Sequence, residues 1–516
     1  MNLLKILATI SGMTMLSRIT GLMRDVLINN YFGASGLTDA YFAAMRIPNF
    51  FRRLFAEGAF SQAFVPILAE YKNQQGTEAT KALVDHVATV LVWALVLTCF
   101  VGVAGAPIFV YMFASGFAEN PAKFELTVVM THIMFPYIGF ISLVALASGI
   151  LNTWREFKIP AFTPVLLNLS SIAASLFLVG HLAQPIYALA IAVFVGGILQ
   201  MLIQVPALVK IGMLPRVQFN PLFALRDPGV VRVLRQMGPA VLAVSVTQIS
   251  ILINSTWASH MADGSMSWLA SADRLMEFPT ALLGVALGTV LLPSLAKANY
   301  EADTSEYSSL LDWGLRLTCL LAMPAAVALA TLPEALTATL FHNGKFDAHA
   351  VAMTGQAVTA YGVGLVGLIF VKILAPGFYA KQNIRTPVNI AIIVLIATQL
   401  MNIPAIHYFK HAGLALSVGL GACINAALLY RGLRQRSIYV PEKGWLSFLL
   451  KLAAALLLMA GVALLLSAQV DWIGLKSDKW LRAAILGGII LSCMLTYFSA
   501  LLLMGFRLRD FRKAVR

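Results

Sequence analysis

Apolar residues run along this chain in blocks of about 20, the length needed to cross a bilayer as a helix. The blocks are separated by short polar stretches. Windows of that length predict about fourteen spanning helices, at 3–32, 36–68, 82–112, 123–151, 159–180, 185–209, 229–260, 266–298, 307–332, 348–376, 386–406, 411–434, 446–468 and 481–506. The first, second, seventh and eighth contain polar residues, and they read as helices because those residues share one face. At 100° per residue, Ser11, Thr14, Arg18, Gly21 and Asp25 fall within an arc of about 80°, with Ser17 and Arg24 beside them. Asp39, Arg46, Asn49, Arg53 and Glu57 form a second stripe, with Arg52 to its side. Ser245, Gln248, Ser255 and Ser259 form a third, and Ser267, Ser271, Arg274 and Glu277, flanked by Asp273, a fourth.

Composition supports the membrane reading. Apolar residues make up 59% of the 516 and charged residues 12%, about half the charge of a soluble domain, so lipid must cover most of the outside. The net charge of +14 lies in short loops and tails, which leaves no basic domain for nucleic acid. Lys72, Lys81, Arg155, Lys158, Lys210, Arg216, Arg226, Lys297, Lys381, Arg385, Arg431 and Lys443 crowd one set of alternating loops. Few basic residues, Lys123, Lys345, Lys410, Lys476, Lys479 and Arg482, fall in the other set. By the positive-inside rule both termini are cytoplasmic. The apolar N-terminus lacks a cleavage pattern and reads as a retained first span. Cys99, Cys319, Cys423 and Cys493 lie far apart in apolar segments and read as buried thiols.

The chain also repeats itself. Tyr137-Ile138-Gly139 through Pro164 has a counterpart in Tyr361-Gly362-Val363 through Pro387. Val65-Pro66-Ile67-Leu68-Ala69 resembles Leu292-Pro293-Ser294-Leu295-Ala296, and Arg46 pairs with Arg274, all at offsets of 223–228 residues. The expected architecture is an all-α polytopic membrane protein: two parallel six-helix lobes at 1–213 and 226–437, two further spans within 444–506, and a basic cytoplasmic tail at 507–516. Parallel repeats place a substrate path at the interface between halves.

A charge at the bilayer centre costs several kcal/mol, so an intramembrane arginine points to function. Arg53 with Glu57 reads as an ion pair of the fold. Arg18, Arg24, Arg52 and Arg274 outnumber nearby acids and suit an anion, since guanidinium forks grip phosphate oxygens bidentately. His407 and His411 have no acidic partners to make a metal site, and Lys372 reads equally as a cavity or a snorkelling residue. No nucleotide-binding or hydrolase motif is present, so no catalytic or metal-binding residue and no cofactor is assigned.

Arg18, Gly21-Leu22-Met23-Arg24-Asp25, Thr38-Asp39-Ala40, the run from Pro48-Asn49 through Ser61, and Ala272-Asp273-Arg274 through Pro279 resemble the MurJ (MviN) family of bacterial lipid II flippases, over about the whole chain. The resemblance implies a fourteen-span transporter of the multidrug/oligosaccharidyl-lipid/polysaccharide exporter superfamily in the inner membrane. It implies that Arg18, Arg24, Arg52 and Arg274 bind lipid II, the undecaprenyl-diphosphate-linked peptidoglycan precursor. It gives supporting roles to Asp25, Asp39, Arg46, Asn49, Arg53, Glu57, Ser267, Asp273 and Glu277, and a tail groove to the last two spans. Arg46 stands where close relatives are expected to carry lysine, which keeps the charge. The expected cycle is alternating access driven by membrane potential, alone or with a coupled ion. Membrane lipids and the cell-wall synthesis machinery are candidate partners. Two other transport readings stay open: a flippase for another polyprenyl-linked glycan, and a cation-coupled exporter, which should have an acid-dominated cavity. A transferase acting on lipid II would need an acid-bearing outer loop, and the longest, around 333–347, has only Glu334 and Asp347.

Overall fold

The computed structural model describes residues 3–53 and 60–506, and its side chains are described from Gly12 onward, outside 239–240, 242–244, 247, 282 and 284–290. Among the described residues, nine helical segments are long and apolar enough to cross a membrane: Gly76–Ala104, Pro121–Thr153, Lys158–Phe177, Tyr187–Lys210, Thr304–Thr331, Ala348–Tyr379, Arg385–Gln435, Trp445–Ser467 and Lys479–Leu503. The chain is an all-helical multi-pass membrane protein. Its contacts divide it into two compact units, 1–266 and 267–516.

The first unit holds α1 (Leu3–Phe32), α2 (Gly36–Phe51), α3 (Ser61–Gln74), α4 (Gly76–Ala104), α5 (Ala106–Phe113), α6 (Pro121–Met134) and α7 (Tyr137–Thr153). It continues with α8 (Lys158–Phe177), α9 (Tyr187–Leu202), the short α10 (Val205–Lys210) and α11 (Pro221–Ala224), and α12 (Pro228–Ser259). Two expected spans are broken. The segment 82–112 bends at Gly105, between α4 and α5. The segment 123–151 breaks at Phe135-Pro136, where proline removes a ladder donor. Helix α12 starts on Pro228, with Asp227 Oδ1 accepting from Gly229 N at 2.7 Å as its cap, and it packs on α3, α4 and α5. The core between α1, α2, α6, α7 and α9 is built from Ile28, Tyr41, Met134, Tyr137 and Leu189, all buried.

The second unit holds α13 (Ser265–Pro279), α14 (Ala286–Tyr300), α15 (Thr304–Thr331), α16 (Pro333–Phe341), α17 (Ala348–Leu374) and α18 (Pro376–Tyr379), then α19 (Arg385–Gln435), α20 (Trp445–Ser467) and α21 (Lys479–Leu503). A π-helical stretch, Thr280–Val285, joins α13 to α14. Straight, α19 would reach roughly 75 Å, more than twice the hydrocarbon thickness. It is broken instead at Lys410, whose φ of 51° and ψ of −129° leave the helical region. Its arms correspond to the two expected spans 386–406 and 411–434. Helix α17 meets α19 through glycine: a Cβ on Gly364 would stand 2.0 Å from the Gly419 Cα, the close approach that small residues allow in membranes.

Arg482, read from the sequence as an outer-loop charge, is fully buried in the first turn of α21. Its Nη2 donates to the His342 carbonyl at 3.2 Å and to Asn343 Oδ1 at 3.4 Å, at the C-terminal end of α16. That carbonyl end carries the negative pole of a helix, which favours a cation. The tail 507–516 lies outside the described residues.

Candidate substrate site

In the first unit the Asn168 amide of α8 is bonded to the polar face of α1. Asn168 is buried. Its Nδ2 donates to the Ser17 carbonyl at 3.0 Å and to Thr20 Oγ1 at 3.2 Å. Its Oδ1 accepts from Arg24 Nη1 at 3.0 Å. The neighbouring carboxylate holds the other side of that guanidinium, with Nε and Nη2 of Arg24 at 2.8 and 2.7 Å from Asp25 Oδ1. Arg24 is therefore clamped from both sides. Arg18, one and a half turns earlier, is half-buried and has no ion pair or hydrogen bond among the described residues.

In α2, Pro48 lies inside the helix, and Arg52 Nε donates to Asn49 Oδ1 at 3.1 Å. Arg46 is half-buried and Arg53 exposed. The expected pairing of Arg53 with Glu57 lies outside the described residues.

Asp39 lies nearer the start of α2, seven residues or about 10 Å of helix before Arg46 and thirteen or about 20 Å before Arg52. Its carboxylate is buried at the start of α2, where Oδ2 accepts from the backbone N–H of Gly264 at 2.7 Å, just before α13. Lys123 Nζ lies 3.5 Å from Asp39 and 2.6 Å from Asp263 Oδ1, over the Phe117 ring. Lys123 and Asp263 were not singled out in the sequence, where lysine near a span end reads as a loop charge.

In the second unit α13 carries Arg274, three-quarters buried, with Nη1 3.1 Å from Glu277 Oε2 one turn on. Asp273 is exposed, while Ser267 and Ser271 are buried. Trp268 packs between His411, at 4.9 Å, and His349, at 5.6 Å between ring centroids. The His411 Nε2 bonds to the Met353 carbonyl at 2.8 Å. Lys372 is exposed in the last turn of α17.

The second unit also contains an apolar cavity of about 540 Å³ between α15, α17, α19 and the start of α20. Phe370, Ala427, Tyr430, Tyr439, Trp445 and Leu449 form much of its wall. Asp312 fixes the end of that wall. Its Oδ1 accepts from Tyr439 Oη at 2.7 Å, Trp445 Nε1 at 2.7 Å and Glu442 N at 3.2 Å, and its Oδ2 from Arg316 Nε at 2.7 Å.

A family profile described as "Lipid II flippase MurJ" matches residues 28–477. A protein of Burkholderia cenocepacia, "Lipid II flippase MurJ", is 57% identical over 516 residues, covering 100% of both chains. The chain belongs to the MurJ family. A second member, "Probable lipid II flippase MurJ" of Vibrio cholerae, is 39% identical over 521 residues, covering 99% of this chain and 98% of that one. Among solved structures, "Lipid II flippase MurJ, inward closed conformation" has a TM-score of 0.79 at 24% identity, covering 96% of this chain and 99% of its own. An inward-facing multidrug resistance MATE family transporter of the MOP superfamily has a TM-score of 0.66 at 15% identity, covering 83% and 98%. These two likenesses give the fold, and the MurJ fold is thus shared with MATE transporters. As a MurJ family member the chain is a transporter.

Proposed function

We propose that this protein carries lipid II from the inner to the outer leaflet of the bacterial cytoplasmic membrane by alternating access, with both termini in the cytoplasm. The observation that carries the reading is the set of arginines on α1, α2 and α13. Arg24 is oriented by Asp25 and Asn168, Arg52 by Asn49, and Arg274 by Glu277. Arg18 has no ion pair among the described residues. Guanidinium groups held in this way bond diphosphate oxygens through paired N–H donors. The membrane cost of such charges makes a purely structural role for all four expensive.

The prenyl tail needs an apolar berth, and the cavity beside α20 supplies one with a wall of aromatic and aliphatic side chains. The head group does the costly part of the crossing. An interior-negative potential helps an outward-moving anion by about 2.3 kcal/mol per charge per 100 mV. The sequence repeat at 223–228 residues supports two six-helix lobes, 1–213 and 226–437. Repetition concerns symmetry and the compact units concern packing, so α12 can begin the second repeat while packing with the first unit. The lysine and arginine bias supports the orientation.

The test is translocation of lipid II in proteoliposomes with and without an imposed potential. The reading expects protein-dependent flipping that quickens when the destination side is positive. Flipping equal to that of empty vesicles overturns it.

A further inference from the structure

Between α10 and α12 the chain forms a strap, 211–227, fastened along one face of α4. The backbone N–H of Arg216 donates to Asp85 Oδ1 at 2.7 Å and that of Gln218 to Thr89 Oγ1 at 3.0 Å. The Trp93 indole donates to the Gln218 carbonyl at 3.1 Å. His86 Nδ1 lies 2.7 Å from Asp227 Oδ2, and its ring packs on Phe223. These bonds fix the strap's backbone and turn its apolar side chains outward. Phe219 is 96% exposed, Leu222 67% and Phe223 57%. In water, that many exposed apolar groups on a fastened segment would be unfavourable.

Two observations identify what covers them. The same face of α4 continues beyond the strap as Val96, Leu97 and Phe100, all exposed and apolar, so it meets lipid. Thr89 and Phe100 are roughly 16 Å apart along the helix, so the strap is fastened about half a hydrocarbon thickness from Phe100. Trp93 is of a residue type enriched at the membrane interface. The exposed charge on the strap and at Lys210 beside it has one sign. Lys210, Arg216 and Arg226 are exposed, and their side chains form no ion pair among the described residues. The acid of the segment, Asp227, is engaged by His86 and the cap of α12.

We propose that the strap 211–227 is a docking surface for anionic phospholipid, with Phe219, Leu222 and Phe223 inserted among the acyl chains and Lys210, Arg216 and Arg226 on the headgroup phosphates. An apolar comb with basic residues beside it is the pattern of an interfacial segment, and basic groups are drawn to an anionic lipid surface.

The test uses the full chain in vesicles of phosphatidylcholine mixed with phosphatidylglycerol, with p-benzoylphenylalanine in place of Phe219 as a photocrosslinker. A second protein carries it in place of Phe100, on the bare lipid face. The probe at 219 is expected to give lipid adducts enriched about fivefold in phosphatidylglycerol, while the probe at 100 follows the mixture. Lys210→Gln with Arg216→Gln and Arg226→Gln is expected to return the adducts at 219 to the mixture ratio. The proposal is overturned if position 219 gives no lipid adduct while position 100 does, or if its adducts follow the mixture in the unaltered strap.

Discussion

Asn168 Oδ1 accepts a hydrogen bond from Arg24 Nη1 at 3.0 Å, joining two helices that are 144 residues apart in sequence. The same side chain holds the Ser17 carbonyl and Thr20, so one amide sets both the packing of α1 on α8 and the direction of a guanidinium. Asn168→Ala removes three bonds and is expected to cost about 1–3 kcal/mol, read as a lower melting temperature. Asn168→Asp puts a second carboxylate beside Arg24, which then competes with the substrate's diphosphate. Head-group affinity is expected to fall further in Asn168→Asp than in Asn168→Ala, and binding isotherms of the two variants compare them directly.

Lys123 is the cation that Asp39 and Asp263 share. Lys123→Met takes the lysine cation from beside the buried Asp39 carboxylate, and breaking a buried pair on one side costs up to about 3–5 kcal/mol. Adding Asp39→Asn removes that carboxylate charge while keeping an oxygen for the Gly264 N–H. The double variant is expected to melt above Lys123→Met alone, and thermal unfolding in detergent measures the order.

Filling the cavity of the second unit tests its assignment to the prenyl tail. Ala427 is an exposed part of the wall, so Ala427→Phe narrows the space without breaking a core contact. Flipping of a long-chain substrate is expected to drop about tenfold, equal to about 1.4 kcal/mol, while a short-chain analogue keeps its rate. Equal rates for both would remove the cavity from the tail's path.

His342 gives stability a pH dependence. It lies in the loop after α16, buried, with Nδ1 2.9 Å from the Phe346 carbonyl. Burial first, then the charges of Lys476 and Arg482, hold its pKa below the ordinary value of 6.5. The folded state therefore binds fewer protons than the unfolded one, and stability falls as pH drops below about 6.5, until the lower folded pKa is passed. Melting temperatures between about pH 7.5 and 5 are expected to decline in the wild type and to decline less in His342→Gln.

How much of this was legible in the sequence depends on the signal each feature leaves. The strongly apolar spans leave long runs, and the structure has helices over them. The interruptions at Gly105 and Phe135-Pro136 do not disturb a hydropathy window, so they were invisible to it. The 100° spacing of the arginines is what predicts a shared face for them. Their orienting partners were less legible: Asn168 is a single amide in an apolar run, although a polar side chain in a span must find a bond somewhere. Lys123 and Arg482 sit near span ends, where a charge usually meets water. Their burial follows from three-dimensional packing against Asp39 in one case and the end of α16 in the other.

Binding of a soluble, short-chain lipid II analogue to purified protein, wild type against Arg18→Ala, Arg24→Ala and Arg274→Ala, is the most direct measurement. Each single replacement is expected to weaken binding about tenfold or more, and the triple replacement to abolish it in a protein that still melts cooperatively. A triple variant that binds as tightly as the wild type would contradict the account, because these guanidinium groups would then have no anion to hold.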